Sequence, residues 1–214
     1  KLIMLEASGI PVHIATAMRD RGYEKLTPVQ EEVTKESYSG LDLLVSAQTG
    51  SGKTIAFGFV IVDNLLNGYD KFKAPQSPEG LIIVPTRELA LQVKNELTWL
   101  LSASEAKIVS CVGGMDIRNE RRNLETKPNI VVGTPGRLRD HIKRNYFDVS
   151  RIKTVVLDEA DEMLDMGFRE DLEAILDITP DKRQTLMFSA TVSKDIANLA
   201  CLLYTSDAAD DTPC

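Results

Sequence analysis

The 214-residue sequence has few cysteines, few histidines and no long apolar run, and each shortage argues against a class of protein or site. Its three cysteines, Cys111, Cys201 and Cys214, are too scattered for a disulfide framework or a zinc knuckle, which favours a reducing cytoplasm. No stretch approaches the roughly 18 consecutive apolar residues of a membrane helix, so we expect no membrane contact. The two histidines, His13 and His141, lack a partner at metal-ligand spacing.

The remaining composition is that of a folded domain. Hydrophobic residues make up 43% of the chain and charged residues 27%. The formal net charge of −7 argues against non-specific coating of nucleic acid. Between residues 113 and 144, however, eight basic residues face four acidic ones, which indicates a local basic patch. The alternative is a solvated helix face on which Glu120 and Glu125 pair with Arg121 and Arg122.

Both ends of the chain differ from its middle. Residue 1 is lysine rather than methionine, so we expect the natural start to be missing. The segment 201–211 resembles the in-frame translation of a transposon adapter used in DNA sequencing, and we interpret 201–214 as a non-native tail. Without that tail the chain carries 25 basic and 29 acidic residues, a charge of −4. A natural polar tail is the alternative interpretation.

Apolar runs alternate with segments of helical spacing. The runs predict buried strands at 43–47, 81–84, 108–112, 130–132, 154–157 and 185–188. Helical periodicity predicts helices at 53–66, 87–101, 117–125, 136–144 and 169–176. This alternation predicts an α/β domain with a mostly parallel central sheet and helices on both faces, preceded by a helical segment within residues 10–37.

A phosphate-binding loop follows the first predicted strand. Its sequence, Ala47-Gln-Thr-Gly-Ser-Gly-Lys-Thr54, fits GxxxxGK(S/T) except that Ala47 replaces the first glycine. Gly50 and Gly52 let backbone N–H groups face phosphate oxygens, and the following helix adds the positive end of its dipole. We predict that Lys53 reaches the β and γ phosphates and that the Thr54 hydroxyl binds Mg²⁺. The alternative is an ordinary glycine-rich turn.

A cluster of carboxylates ends the strand predicted at 154–157. In Asp158-Glu-Ala-Asp161, we predict that Asp158 directs Mg²⁺ through its hydration shell. Glu159 is the candidate base that orients and deprotonates the attacking water. The alternative is an acid-rich helix N-terminus, which is common.

Together the two motifs resemble those of the DEAD-box RNA helicases, in their N-terminal RecA-like domain. Five further segments match the family in order, and the resemblance covers residues 10–200. Gly22-Tyr-Glu-Lys-Leu-Thr-Pro-Val-Gln30 resembles the Q motif, which implies that Gln30 hydrogen-bonds the adenine edge and that Thr27 supports the loop. The implied ATP site comprises Thr27, Gln30, Gln48, Thr49, Gly50, Ser51, Gly52, Lys53 and Thr54, with ATP and Mg²⁺ as cofactors.

The other matching segments imply RNA contacts and coupling. Segments similar to the RNA-contacting motifs contain Pro85, Thr86, Arg87, Gly113, Gly114, Thr134, Pro135, Gly136 and Arg137. Several of these residues follow predicted strand ends, where open α/β sheets place ligands, and suit phosphate contacts that carry no sequence information. Ser189-Ala190-Thr191 resembles the coupling motif, which implies a link to carboxylates such as Asp161.

Two departures limit what the chain can do by itself. Leu5 stands where the family usually has an adenine-stacking aromatic residue. The family's second RecA-like domain, with its arginine fingers, is not in the sequence. We therefore expect a helical Q-motif segment at 1–37, a RecA-like ATP-binding domain at 38–200 and the tail at 201–214. The chain is expected to act as a cytoplasmic monomer on RNA, to hydrolyse ATP slowly and not to unwind a duplex alone.

Two other functions stay open from the sequence. A P-loop motor acting on DNA is disfavoured by Asp161 and by the Q-like segment. A nucleotide- or RNA-binding module without enzymatic activity is the other alternative.

Overall fold

The computed structural model describes residues 10–204, with side chains except those of residues 36 and 202–204. Leu5 and most of the 201–214 tail lie outside this range. In the described residues, no helix has the length and apolar character needed to cross a bilayer.

Six strands form one parallel sheet in the described part of the chain. They are β1 (Leu43–Ser46), β2 (Gly80–Ile83), β3 (Ile108–Cys111), β4 (Ile130–Gly133), β5 (Thr154–Leu157) and β6 (Gln184–Ser189). The strand order is β1-β6-β5-β2-β4-β3, and every neighbouring pair is parallel. All six strands predicted from apolar runs are confirmed, with ends that differ by one residue or none.

Nine helices connect or precede these strands within residues 10–204. They are α1 (Val12–Asp20), α2 (Pro28–Val33), α3 (Lys53–Leu66), α4 (Arg87–Leu100), α5 (Ile117–Glu125), α6 (Pro135–Lys143), α7 (Ala160–Asp165), α8 (Arg169–Leu176) and α9 (Lys194–Tyr204). Short 3-10 turns occupy Glu36–Tyr38 and Ser102–Ser104. The segment before β1 is two short helices because Gly22 adopts φ +84° and Pro28 starts a new helix after Thr27.

The core lies on both faces of the sheet. Alternate strand residues point to opposite sides, so Ile82 and Val156 pack with α3 and α4, whereas Ile83 and Val155 pack with the helices on the other face. Strands β2, β4, β5 and β6 are buried along their whole length, as a sheet covered on both faces requires. Phe188 of β6 packs edge to face against Phe57 of α3, with ring centres 5.7 Å apart, and this contact holds α3 against the sheet.

The parallel arrangement positions the candidate site. Because all strands run the same way, their carboxyl ends lie along one edge of the sheet. The loops after β1, β5 and β6 are therefore neighbours, and so are the loops after β2, β4 and β3. The first group carries the predicted nucleotide and coupling residues, and the second carries the predicted RNA-contacting residues.

Candidate functional site

The P-loop connects β1 to α3, and α3 begins at Lys53 as predicted. Gly50 and Gly52 adopt φ values of +82° and +87°, which side chains other than glycine rarely adopt. A Cβ on Gly50 would meet nothing within 4 Å, whereas a Cβ on Gly52 would lie 2.4 Å from Gln30 Nε2. Glycine is thus favoured at position 50 by the backbone conformation alone. At position 52 it is favoured both by the backbone conformation and by the closeness of Gln30.

The Q-like segment is packed directly on this loop. Gln30 is fully buried; its Oε1 accepts a hydrogen bond from Thr27 N at 3.0 Å, and its Nε2 donates to Gly52 O at 3.1 Å. A carboxamide nitrogen carries two N–H groups, so a second donor is left for a base edge. Gln30 thus links Thr27 to the loop, whereas the predicted hydrogen bond of Gln30 with the adenine edge and the predicted support of the loop by Thr27 stay predictions.

The three predicted catalytic side chains lie together. Lys53 Nζ lies 3.2 Å from Asp158 Oδ1 and 3.8 Å from Glu159 Oε1. Thr49 Oγ1 donates to Glu159 Oε1 at 3.1 Å, although the two residues are 110 positions apart. Glu159 adopts φ +54°, and its N–H donates to Asp158 Oδ1 at 3.0 Å. The end of β5 thereby turns both carboxylates toward the lysine.

Burial governs the electrostatics of this cluster. The side chains of Lys53 and Asp158 are 6% and 3% exposed. Burial raises the pKa of Asp158, and the nearby Lys53 ammonium partly offsets that rise. Burial likewise raises the pKa of Glu96 on α4, against a hydrogen bond from Thr54 that lowers it. Because burial disfavours the charged carboxylate, a cation close to Asp158 would stabilise its ionised form.

The residues present fit a triphosphate and Mg²⁺. Ser51 Oγ is buried and has no hydrogen-bond partner among the described residues, so it can donate to a phosphate oxygen. The first N–H groups of α3 lack partners within the helix, as at any helix N-terminus. Thr54 and Asp158 supply oxygen ligands of the kind that Mg²⁺ prefers. Gln48 and Thr49 are exposed at the mouth of the loop.

The predicted coupling residues are joined by hydrogen bonds. Asp161 Oδ2, at the start of α7, accepts from both Thr191 N and Thr191 Oγ1 at 3.0 Å. Ser189 Oγ donates to Thr191 O at 2.7 Å, and Ala190 between them is exposed. Burial raises the pKa of Asp161, but hydrogen bonds, those from Thr191 foremost, outweigh it, and the net pKa is lowered. The acidic motif after β5 is therefore attached to the loop after β6.

The predicted RNA-contacting residues come from three adjacent loops. Arg87 is exposed, and its Nη1 lies 3.1 Å from where a Cβ on Gly114 would be. Thr86 caps α4 by accepting from Leu89 N at 3.2 Å. Gly113, Gly114 and Gly136 are exposed and Thr134 is partly exposed, whereas Pro85 and Pro135 are buried. The two buried prolines therefore pack against the protein interior rather than facing solvent.

The predicted basic patch is partly neutralised. Four of its eight basic residues lie in ion pairs: Arg121 with Glu125, Arg137 with Glu120, Arg139 with Asp171, and Arg144 with Asp140. Pairing of Arg121 with Glu125 on the helix surface is confirmed. The expected pairing of Glu120 with Arg121 or Arg122 is wrong, because residues one or two positions apart on a helix do not face each other and Glu120 points inward.

Sequence reasoning missed the buried role of Glu120. Its side chain is 4% exposed and contacts Val112 N, Arg137 and His141. Ile117, Glu120 and Leu124 follow the i, i+3, i+7 spacing of a helix face that points to the core. A carboxylate on that stripe is the signal that could have revealed a buried polar contact.

Three conspicuous side chains belong to the core or its margin. His141 is fully buried against Glu120. Trp99 stacks on Tyr23 at 6.0 Å, with the Arg21 guanidinium 4.8 Å from its ring centre. Cys111 is buried, and burial raises the pKa of its thiol, so it behaves as a small apolar residue.

Comparisons with known proteins agree with this geometry. The family profile "DEAD/DEAH box helicase" matches residues 27–199. The "ATP-dependent RNA helicase CshA" of Limosilactobacillus reuteri is 46% identical over 191 residues, which cover 89% of this chain and 37% of that protein. The "DEAD-box ATP-dependent RNA helicase CshA" of Bacillus subtilis (strain 168) is 44% identical over 186 residues, covering 86% of this chain and 36% of that protein.

A solved structure extends the comparison to the fold. A DEAD box protein from the hyperthermophile Methanococcus jannaschii has a TM-score of 0.81 and 38% sequence identity. The match covers 89% of this chain and 51% of that one. The chain spans about 37% of the length of the first of these curated relatives. Since the family profile covers most of the chain, including the P-loop and the acidic motif, the chain belongs to the DEAD/DEAH box helicase family.

Proposed function

We propose that this chain is the ATP-binding half of an ATP-dependent RNA helicase, in which RNA-stimulated ATP hydrolysis is coupled to local unwinding of RNA duplexes. The observation that carries the proposal is the convergence of Lys53, Asp158 and Glu159 beside a glycine-rich loop that fits phosphate. The names of the relatives support RNA as the substrate.

Each residue of the cluster has a role in this proposal. The loop at 48–54 would hold the phosphates of ATP, while Thr54 and, through water, Asp158 would hold Mg²⁺. The bound ion neutralises charge on the β and γ phosphate oxygens. Lys53 would exchange its contact with Asp158 for phosphate oxygens. Glu159, at 3.8 Å from Lys53, would orient the attacking water and accept its proton.

The RNA side and the coupling side complete the proposal. Arg87, Gly113, Gly114 and the segment 134–137 would contact RNA phosphates without sequence preference. The hydrogen bonds between Asp161 and Thr191 would tie hydrolysis to the surface that faces a second RecA-like domain. Arginine fingers supplied from outside a P-loop site contribute roughly 10³- to 10⁵-fold in rate. This chain alone should therefore hydrolyse ATP very slowly and unwind nothing.

Location and assembly are part of the same proposal. The scarcity of cysteine supports a cytoplasmic location, as does a role on RNA. Action as a monomer stays a prediction.

The test compares Lys53→Ala with Lys153→Ala by calorimetric titration with Mg²⁺–ATP. Lys153 is a matched control because it is an exposed lysine before β5, at the opposite end of the sheet, paired with Glu79 at 2.8 Å. Loss of a charged hydrogen bond to phosphate should weaken binding by about 10- to 150-fold for Lys53→Ala. Lys153→Ala should stay within about twofold of the parent.

Two results would contradict the proposal. Equal affinity of the parent and Lys53→Ala would remove the P-loop assignment. Brisk RNA-stimulated ATP hydrolysis by residues 1–200 alone would refute the division of labour with a second domain.

A further inference from the structure

We propose that Glu120 is a positioning residue that holds two RNA-contacting loops, those after β3 and β4, in a fixed mutual arrangement. The proposal rests on the RNA-binding role proposed above for Gly113, Gly114 and Arg137. Glu120 itself is buried beneath these loops and would not touch RNA.

One oxygen of Glu120 fixes the loop after β3. Glu120 Oε1 accepts a hydrogen bond from Val112 N at 2.7 Å, and both groups are buried. Val112 directly precedes Gly113, so this contact sets where the Gly113-Gly114 turn leaves the sheet. A leucine of similar volume would fill the space but would leave the Val112 N–H without this acceptor.

The other oxygen fixes the loop after β4. Glu120 Oε2 lies 2.6 Å from His141 Nε2 and accepts from Arg137 Nη1 at 3.4 Å. Arg137 Nη2 also donates to Met115 O at 3.4 Å, which ties the arginine to the loop after β3 a second time. A guanidinium has five N–H donors, so the remaining ones are left to bind phosphate.

The distances favour a hydrogen bond between Glu120 and His141 over a metal site at this position. Cys111, Glu120 and His141 are buried, with possible ligand atoms within 4.8 Å of one another. Two ligands of one tetrahedral zinc ion, at bond lengths of about 2.0–2.1 Å, lie about 3.3 Å apart. The 2.6 Å between Glu120 and His141 is shorter than this and is a hydrogen-bond distance.

The experiment measures binding of a fluorescein-labelled single-stranded oligouridylate to the full chain by anisotropy at constant salt. The variants are Glu120→Gln, Arg137→Ala and the double variant. Glu120→Gln retains an acceptor for Val112 N but turns an N–H donor toward Arg137, so it removes the hold on the arginine. Glu125→Gln is the matched control, because it alters an exposed carboxylate of the same helix.

The expected pattern is a coupling between Glu120 and Arg137. Arg137→Ala should weaken RNA binding by about 10-fold or more, and Glu120→Gln by about 3- to 10-fold. Glu125→Gln should stay within about twofold. In the Arg137→Ala background, Glu120→Gln should add less than about twofold, because it acts through the arginine. The affinity for Mg²⁺–ATP should stay that of the parent, which a general loss of folding would not allow.

Several outcomes would overturn the proposal. Unchanged or tighter RNA binding by Glu120→Gln refutes positioning, and so does an undiminished effect in the Arg137→Ala background. If the parent does not bind RNA, or Arg137→Ala binds as the parent does, the RNA role itself fails and this inference fails with it. If Glu120→Gln does not fold, Arg137→Lys decides: parental affinity would show that charge alone suffices, whereas a loss of about threefold or more supports a held geometry.

Discussion

Replacing Gly52 with alanine tests how closely the Q-like segment packs on the P-loop. The backbone of Gly52 has φ +87°, a conformation that costs alanine about 1–2 kcal/mol. The added Cβ would also lie 2.4 Å from Gln30 Nε2 and 3.1 Å from Thr27 Oγ1. The Gln30 side chain must therefore move away from the loop.

Movement of Gln30 sacrifices two hydrogen bonds. These are the bond from its Nε2 to Gly52 O and the bond from Thr27 N to its Oε1. At about 0.5–1.5 kcal/mol each, their loss adds about 1–3 kcal/mol to the backbone cost. Gly50→Ala is the matched control, because its φ is +82° and its Cβ would meet nothing within 4 Å. Gly52→Ala should thus be less stable than Gly50→Ala by about 1–3 kcal/mol.

The assay is urea unfolding followed by circular dichroism, in the absence of nucleotide. A parallel thermal scan should show a Tm about 2–12 °C lower for Gly52→Ala than for Gly50→Ala, at about 2–4 °C per kcal/mol. In a Gln30→Ala background the two glycine variants should differ by less than about 0.5 kcal/mol, since the 2.4 Å clash with Gln30 is gone and the 3.1 Å approach to Thr27 Oγ1 remains. Equal stability in the parent background, or a difference that persists with Gln30→Ala, would refute the reasoning.

Two further predictions concern other parts of the sheet edge. Gly133→Ala places a Cβ 2.6 Å from Cys111 O and 2.7 Å from Leu138, so we expect a loss of about 1–3 kcal/mol in urea unfolding. The control Gly113→Ala, whose Cβ meets nothing within 4 Å, should keep a free energy of unfolding within about 0.5 kcal/mol of the parent. Equal losses for Gly133→Ala and Gly113→Ala would contradict the close packing around Gly133. Thr191→Val removes one hydrogen bond to Asp161. Because folding lowers the pKa of Asp161, its carboxylate stabilises the fold at pH values above its ordinary pKa of 3.8, and this stabilisation is lost as the pH falls through the folded pKa. We expect Thr191→Val to lower the free energy of unfolding by about 0.5–1 kcal/mol at pH 7 and by less below about pH 4. The control Thr98→Val, which loses a hydrogen bond to Lys94 O, should show no such pH dependence. A Thr191→Val loss that stays constant from pH 7 to about pH 2 would count against this assignment.

The sheet and its helices were predictable because their signals are local. Apolar runs such as that of β5 (Thr154–Leu157) are short and alternate with helices of 3.6-residue period, which favours buried strands, and the observed bounds of α3 and α5 coincide with the predicted ones. The meeting of Lys53 with Asp158 was predictable as well, since both follow parallel strands whose carboxyl ends share an edge.

Contacts that depend on helix rotation and side-chain reach were not predictable. Nothing local shows that Gln30 reaches Gly52 across 22 residues, or that Glu96 on α4 lies close enough to Thr54 and Asp158 to have its pKa changed by them. Glu120 was misjudged because an acidic residue between arginines resembles a surface position in sequence. Its spacing from Ile117 and Leu124 was a local signal that Glu120 lies on the inward face of α5, and its hydrogen bond with Val112 N shows that it does.

The pairing of β1 with β6 has a consequence for the order in which the protein folds. β1 is an edge strand, and its neighbour among the described strands is β6, so Leu43 lies beside Leu186. At roughly 5–20 residues per second of synthesis, β1 leaves the ribosome about 7–30 s before its partner exists. The strand that leads into the P-loop therefore cannot form its observed sheet pairing until β6 (Gln184–Ser189) has been synthesised.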